Sequence, residues 1–147
     1  MAASEQNSDT LDRDRGIFER INGILPESQL HVLCSEELGD GRMNGENRRK
    51  ADELQQVLGI ENPRFSSQVI STLEDEFAAR LCVVLDFTRR HFFCQGNSAN
   101  LALYPEFRSM GYEKEYFEFL SDIRQKAEEL WRAYFQFRET VRRVLLV

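Results

Sequence analysis

Two copies of the pattern His-x-x-Cys are the residues of this sequence whose types and spacing best suit chemistry. They pair His31 with Cys34 and His91 with Cys94, and they include both histidines and two of the three cysteines of the chain. Residues at i and i+3 lie on one face of a helix, so each pair could offer one nitrogen and one sulfur to a metal. Together the two pairs would make a tetrahedral Cys₂His₂ zinc site.

Packing in a hydrophobic core explains the same pairs without a metal. Val and Leu separate the first pair and two Phe residues separate the second, and a buried cysteine usually behaves as a small hydrophobic residue. The two pairs are 60 residues apart, so neither belongs to a short chelating loop. We therefore expect no metal and no cofactor, and we keep a zinc-binding helical protein with a His31/Cys34/His91/Cys94 site as the alternative function.

Other possible sites for chemistry lack a required group. The glycine-rich segment 39–45 has some features of a calcium loop, but Arg42 and Ala51 would occupy ligand positions, and the second of these requires a glutamate. The spacing of His91 and Cys94 suits helix packing better than the proton transfer that a nucleophilic cysteine needs. The sequence has no glycine-rich phosphate loop and no HExxH or ExxH pattern. We expect that the protein is not an enzyme.

The composition predicts a single soluble domain. The chain has 147 residues, of which 41% are hydrophobic and 30% charged, so it can bury a core. It has no apolar run long enough to span a bilayer and no secretory signal at its start. An odd number of cysteines is typical of a reducing compartment, so we expect a cytoplasmic or nuclear location. We expect a disordered N-terminal tail at 1–9 and a single α-helical domain at 10–147.

The formal net charge of −6 favours a protein partner over nucleic acid or a membrane. Nucleic acids and anionic lipids repel such a chain unless its positive charges are concentrated on one face. The basic clusters at 48–50, 89–91 and 142–143 are each flanked by acidic residues. Arginine outnumbers lysine by 16 to 3, which suits protein interfaces, although the base composition of a genome would produce the same bias.

Apolar residues at helical spacing run through almost the whole domain. They predict an all-α bundle of about five helices at 10–25, 27–38, 46–58, 67–95 and 113–146. The two long helices, 67–95 and 113–146, should be antiparallel, with the shorter N-terminal helices across them. We predict an ordered connection at 97–112 and no β-strand, because no alternating run is long enough to require one.

The last predicted helix carries an apolar face that is too broad for one neighbour. Apolar residues recur there in an unbroken heptad pattern from Tyr116 to Val144, and residues beside this stripe widen the face. The helix should be about 50 Å long, more than the diameter of about 40 Å expected for the domain. Its four last residues, 144–147, are apolar, which implies a partner, a second copy, a longer parent chain, or an end that folds back along the N-terminal helices.

These features predict a non-enzymatic protein–protein interaction module, either an adaptor or an assembly subunit. Aromatic residues and arginine contribute much of the binding energy at interfaces. The predicted protein-binding residues, all on the last helix beside the heptad stripe, are Phe117, Arg124, Trp131, Phe135, Arg138 and Leu145. The expected partner is another protein or a second copy of the chain, which would form a homodimer.

Overall fold

Five α-helices and a three-stranded sheet make up the fold, which a computed structural model describes for residues 2–59, 64–96, 98–103 and 111–146. The helices are α1 (Ala2–Ile24), α2 (Glu27–Val32), α3 (Gly45–Gly59), α4 (Gln68–His91) and α5 (Glu113–Leu145). A π turn (Leu33–Glu37) and a 3₁₀ turn (Leu38–Asp40) continue α2. The predicted all-α bundle is confirmed. None of the described helices combines the length and apolar character that a membrane span requires.

The two long helices pack antiparallel, as predicted, and form the centre of the core. Towards the start of α4, Phe77 stacks on Phe137 towards the end of α5, with ring centroids 5.7 Å apart. Towards the end of α4, Phe87 lies edge-on to Phe119 towards the start of α5, at 6.2 Å. Phe77 and Phe137 are fully buried. Burial of these large apolar side chains is the main free-energy gain of the helix pair.

The second neighbour that the broad face of α5 requires belongs to the same chain. Phe18 of α1 packs edge-on against Phe137 at 6.0 Å, and the π and 3₁₀ turns lie against α5. At the C-terminal end, Leu145 is buried and its carbonyl oxygen accepts a hydrogen bond from Arg15 Nε at 2.9 Å. Leu145 therefore folds back along the N-terminal helices, one of the predicted alternatives, while Leu146 is 82% exposed.

Two helix boundaries differ from the prediction. Helix α1 begins at Ala2, whereas the sequence predicts a helix that begins at residue 10. Alanine, glutamate and glutamine in this stretch favour a helix, and neither glycine nor proline occurs before Gly16. Helix α4 ends at His91 rather than at residue 95, because the backbone of Phe92 is extended (φ −102°, ψ 141°).

The sheet contradicts the prediction that the chain has no β-strand. Its strands, β1 (Arg42–Met43), β2 (Phe92–Cys94) and β3 (Leu101–Leu103), pair antiparallel in the order β1-β3-β2. Strands of two or three residues are too short to show the alternation by which a strand is recognised in a sequence. The predicted connection at 97–112 therefore contains a strand, and its residues 97 and 104–110 lie outside the described part of the chain.

The start of α3 is held against both the sheet and the π turn. Gly45 passes so close to the chain after β2 that a Cβ atom there would lie 2.8 Å from Ala99 Cβ. The Gly45 amide donates to Asn100 Oδ1 at 3.0 Å. The buried carboxylate of Glu37 accepts a hydrogen bond from the Asn44 amide at 2.6 Å. These contacts satisfy amides at the start of α3 and fix the position of the π turn.

Candidate binding groove

Two cavities lie side by side between α5 and the segment formed by α2 with its two turns. One has a volume of about 430 Å³ and the other about 660 Å³, and His31 and Trp131 line both. The smaller cavity continues to Arg124 and Asp40, and the larger one to Val32. We call the two cavities together the groove. Each is within the range of about 300–1,000 Å³ that is usual for ligand-binding pockets.

His31 and Trp131, which line both cavities, are in contact with each other. Their rings meet edge-on with centroids 4.9 Å apart, and the indole also lies against Tyr134 at 5.6 Å. The hydroxyl of Ser35 donates to the carbonyl oxygen of His31 at 2.5 Å, which helps to hold this turn of the backbone. Trp131 is partly exposed and is the single tryptophan of the chain. Its fluorescence therefore reports directly on the groove.

Arg124 forms the polar end of the groove. Its Nε donates to the carbonyl oxygen of Gly39 at 2.7 Å, which holds the guanidinium against the 3₁₀ turn. Among the residues that the structure describes, no carboxylate forms an ion pair with Arg124, and its two terminal nitrogens have no hydrogen-bond partner. The guanidinium therefore keeps two donors with the planar geometry that suits a carboxylate.

The two acidic residues that line this end of the groove each have their own arginine. Asp40 lies 3.7 Å from Arg42 Nη2, and Glu128 forms an ion pair with Arg132, one turn further along α5. All four side chains are largely exposed. Such pairs contribute only about 0–1 kcal/mol to stability, but they do compensate the two negative charges locally.

Four of the six predicted binding residues lie along the surface on this side of α5. Arg124 and Trp131 line the groove. Phe135, which is 45% exposed, follows Trp131 by one helical turn, and Phe117, which is 49% exposed, precedes Arg124 by two turns. The spacings of seven, seven and four residues keep all four on one side of the helix. We call this side, with these four residues, the α2 flank of α5.

The other two predicted residues are used inside the chain. The side chain of Arg138 is only 11% exposed and forms an ion pair with Glu27, the first residue of α2. Leu145 is 1% exposed, in the core. Neither is available at the surface to a partner. Helical spacing shows which side of a helix a residue occupies, but not whether another part of the chain covers it.

His91 packs on the opposite side of α5, which we call the α4 flank. Its ring lies against Phe87 at 4.6 Å and against Phe119 at 4.4 Å. Burial lowers the pKa of His91 below its ordinary value, and the positive charge of Arg90 lowers it further, while Asp122 acts in the opposite sense. The ring is therefore a neutral packing element between the two long helices.

The structure does not bring the two His-x-x-Cys pairs together. His31 contacts Trp131 and His91 contacts Phe119, and these two aromatic residues are twelve positions apart, about 18 Å along α5. Burial raises the pKa of the Cys34 thiol to about 12, as is usual for a cysteine that packs in an apolar core. Within the described residues, no group of three or more His, Cys, Asp and Glu side chains could hold a metal ion.

The wall of the groove opposite α5 is the part that sequence reasoning missed. Gly39 and Asp40 lie in the glycine-rich segment 39–45, in which no binding residue is predicted from the sequence. Gly39 meets Arg124 across 85 positions of the chain. No local pattern signals such a contact, because it depends on how the π turn places the segment against α5.

Comparison of the chain with protein-family models, with curated proteins and with solved structures finds no match in any of the three.

Proposed function

We propose that the protein is a non-enzymatic protein–protein interaction module, an adaptor or an assembly subunit, that binds another protein or a second copy of itself. The binding surface in this proposal is the α2 flank of α5 together with the groove. The observation that carries it is the groove itself, where the partly exposed indole of Trp131 lines the same cavity as Arg124, an arginine without an acidic partner among the described residues.

The residue types of the groove support a protein partner. Tryptophan and arginine are the residues that most often dominate binding energy at interfaces, especially where they line a pocket. A cavity of about 430 Å³ admits a side chain of the partner and shields it from water, which a flat surface does not. Phe135, 45% exposed, extends the apolar surface beyond the groove.

Charge supports a protein over nucleic acid or a membrane as the partner. The net charge of −6 opposes binding to either polyanion. The arginines nearest to the groove, apart from Arg124, are engaged with carboxylates of the same chain. The three cysteines form no disulfide, and we propose the cytoplasm or the nucleus as the location.

Substitutions on the α2 flank test the proposal. Phe135→Ser removes an exposed apolar side chain, and Trp131→Leu removes the indole while keeping an apolar residue in the groove. Partners captured by the immobilised protein are identified by mass spectrometry, purified and titrated by calorimetry, and self-association is measured by sedimentation equilibrium. We expect the double variant to bind at least about 30-fold more weakly, since truncating a single interface aromatic residue already costs about 2 kcal/mol.

Val69→Ser is the matched control. Val69 lies on α4, away from the groove, and is 58% exposed, so this variant loses apolar surface elsewhere. It should bind as the wild type does. The proposal fails if the double variant remains folded by circular dichroism and still binds its partner and self-associates like the wild type. Point substitutions are preferable to truncation at residue 139, which would remove Val141 and Leu145 from the core.

A further inference from the structure

We propose that the partner presents an acidic segment to the groove, in which an aspartate or glutamate carboxylate pairs with Arg124 while an apolar side chain packs against Trp131. This inference rests on the proposed function, because it concerns the same surface, and it adds the chemistry of the partner. Three features of the groove support it: the unused hydrogen-bond donors of Arg124, the pairing of the other charges, and the distance between Arg124 and Trp131.

Arg124 is held in place, and its two terminal nitrogens are still available as hydrogen-bond donors. The hydrogen bond from its Nε to the carbonyl oxygen of Gly39 restricts the side chain before any partner binds. The two terminal nitrogens form no hydrogen bond or ion pair with the described residues. A guanidinium in this state recognises a carboxylate through two parallel hydrogen bonds, and its prior restraint lowers the entropy that binding costs.

The acidic residues near Arg124 do not replace such a carboxylate. Asp40 and Glu128 line the same cavity, but the first is paired with Arg42 and the second with Arg132. Their negative charges are therefore already compensated by arginines that lie outside the cavity lining. Arg124 remains the cation of the groove without a counter-charge in the described chain.

The far end of the groove shows the same pairing. Glu27 lines the larger cavity and faces two arginines. It forms an ion pair with Arg138, and its Oε2 lies 3.6 Å from Nη2 of Arg142. Every carboxylate that lines the groove thus has at least one arginine of its own. A basic segment would be repelled by Arg124 and would have to displace an arginine from an existing pair. An acidic segment meets neither cost.

The distance between the two anchors sets the spacing in the partner. Arg124 and Trp131 are seven residues apart on one helix, which is about 10 Å along its axis. A helical segment spans this distance with its acidic and apolar residues seven positions apart. An extended segment spans it with the two residues about three positions apart. The partner segment should therefore carry Asp or Glu and a large apolar residue at one of these two spacings.

Selection from a peptide library tests this inference on the intact protein. Phage that display random 16-residue peptides are panned on the full chain, and selected peptides are synthesised and titrated while the fluorescence of Trp131 is followed. We expect the selected peptides to be net negative, to carry the acidic and apolar residues at one of the predicted spacings, to change the Trp131 emission, and to bind more weakly as salt concentration rises.

Three variants of the chain make the result specific to Arg124. Arg124→Gln should lower the affinity for the acidic peptides by about tenfold or more, because hydrogen bonds to charged groups are worth about 1.5–3 kcal/mol. Arg143→Gln is the matched control: it removes the same charge from an exposed position on α5 outside the groove, and it should leave the affinity unchanged. Arg124→Glu should bind the same peptides once their acidic anchor is replaced by arginine.

The outcomes separate this inference from the proposed function. The proposal of an acidic partner segment is wrong if the selected peptides are neutral or basic, or if they bind Arg124→Gln as tightly as the wild type. This holds even if the peptides quench the fluorescence of Trp131. The interaction surface would then stand with a different ligand chemistry. If the natural partner is also insensitive to the double substitution Phe135→Ser and Trp131→Leu, the proposed function itself fails.

Discussion

The two flanks of α5 are built from one heptad pattern but are covered in different ways. On the α4 flank a regular helix of 24 residues runs antiparallel to α5, and the ring of Phe77 meets Tyr134 at 5.3 Å and Phe137 at 5.7 Å. On the α2 flank, six residues of α-helix give way to a π turn and a 3₁₀ turn, and cavities of about 430 and 660 Å³ remain.

The difference follows from helix geometry. The side-chain ridges of a regular helix can fit the grooves of another regular helix along their whole length. A change from 3.6 residues per turn to π and then 3₁₀ geometry moves successive side chains out of register with those grooves. Space therefore remains beside α5 where the covering segment changes helix type, as in the smaller cavity, which is lined by Cys34, Ser35, Gly39 and Asp40. Each flank also uses one histidine in the same way: His31 packs on Trp131, and His91 packs on Phe119.

The largest expected effect on stability is on the α4 flank. Phe77→Ala should lower the free energy of unfolding by about 3–5 kcal/mol, because Phe77 is fully buried and its loss leaves a cavity between the long helices. Trp131→Ala should cost only about 1–2 kcal/mol, because the indole is partly exposed beside an existing cavity. Urea unfolding followed by circular dichroism measures both. Equal losses would contradict the contrast between the flanks.

A smaller effect is expected at the ion pair that joins α2 to α5. Glu27→Gln should lower the free energy of unfolding by about 1–3 kcal/mol, because the mostly buried guanidinium of Arg138 loses its partner on α2. Glu139→Gln is the control: Glu139 also contacts Arg138 but is 51% exposed, so its loss should cost under about 1 kcal/mol. If the two variants are equally stable, this ion pair does not hold α2 in place.

The smallest expected effect is a pH dependence on the α4 flank. The pKa of His91 in the folded chain lies below its ordinary value of 6.5, so the unfolded chain binds the proton more readily. Stability from this residue should be complete above pH 6.5 and decline as the pH falls from there towards the lowered pKa. Thermal unfolding of the wild type and His91→Gln across this range measures the difference. A gap between the two that stays constant with pH would disprove the effect.

Local sequence predicted the helices well and the ends of elements poorly. The heptad pattern from Tyr116 to Val144 is long enough that burial of one side outweighs any local preference, and α5 is one unbroken helix. By contrast, α4 stops at His91 because Phe92 to Cys94 pair with β3. That pairing competes with one further turn of helix, and its outcome depends on residues 101–103, which are distant in the sequence.

The predicted binding residues show the same difference between local pattern and tertiary contact. Trp131 and Arg124 could be selected as anchors because their residue types and their side of the helix are visible in the sequence. Arg138 and Leu145 share that side, but Glu27 covers the first and the core encloses the second. The spacing of apolar residues along a helix predicts which side chains must pack against another segment. It does not say whether that segment is in the same chain.

For this protein the sequence by itself determined the helical class, the antiparallel pair of long helices and the need of α5 for more than one neighbour. These depend on periodic burial, which is written locally in the spacing of apolar residues. Tertiary structure alone decided that the second neighbour of α5 is formed by α1 and by the turns that continue α2, that the groove lies beside those turns and that Arg124 is held by Gly39. Contacts between distant segments have no local signature, because they arise only when the whole chain packs.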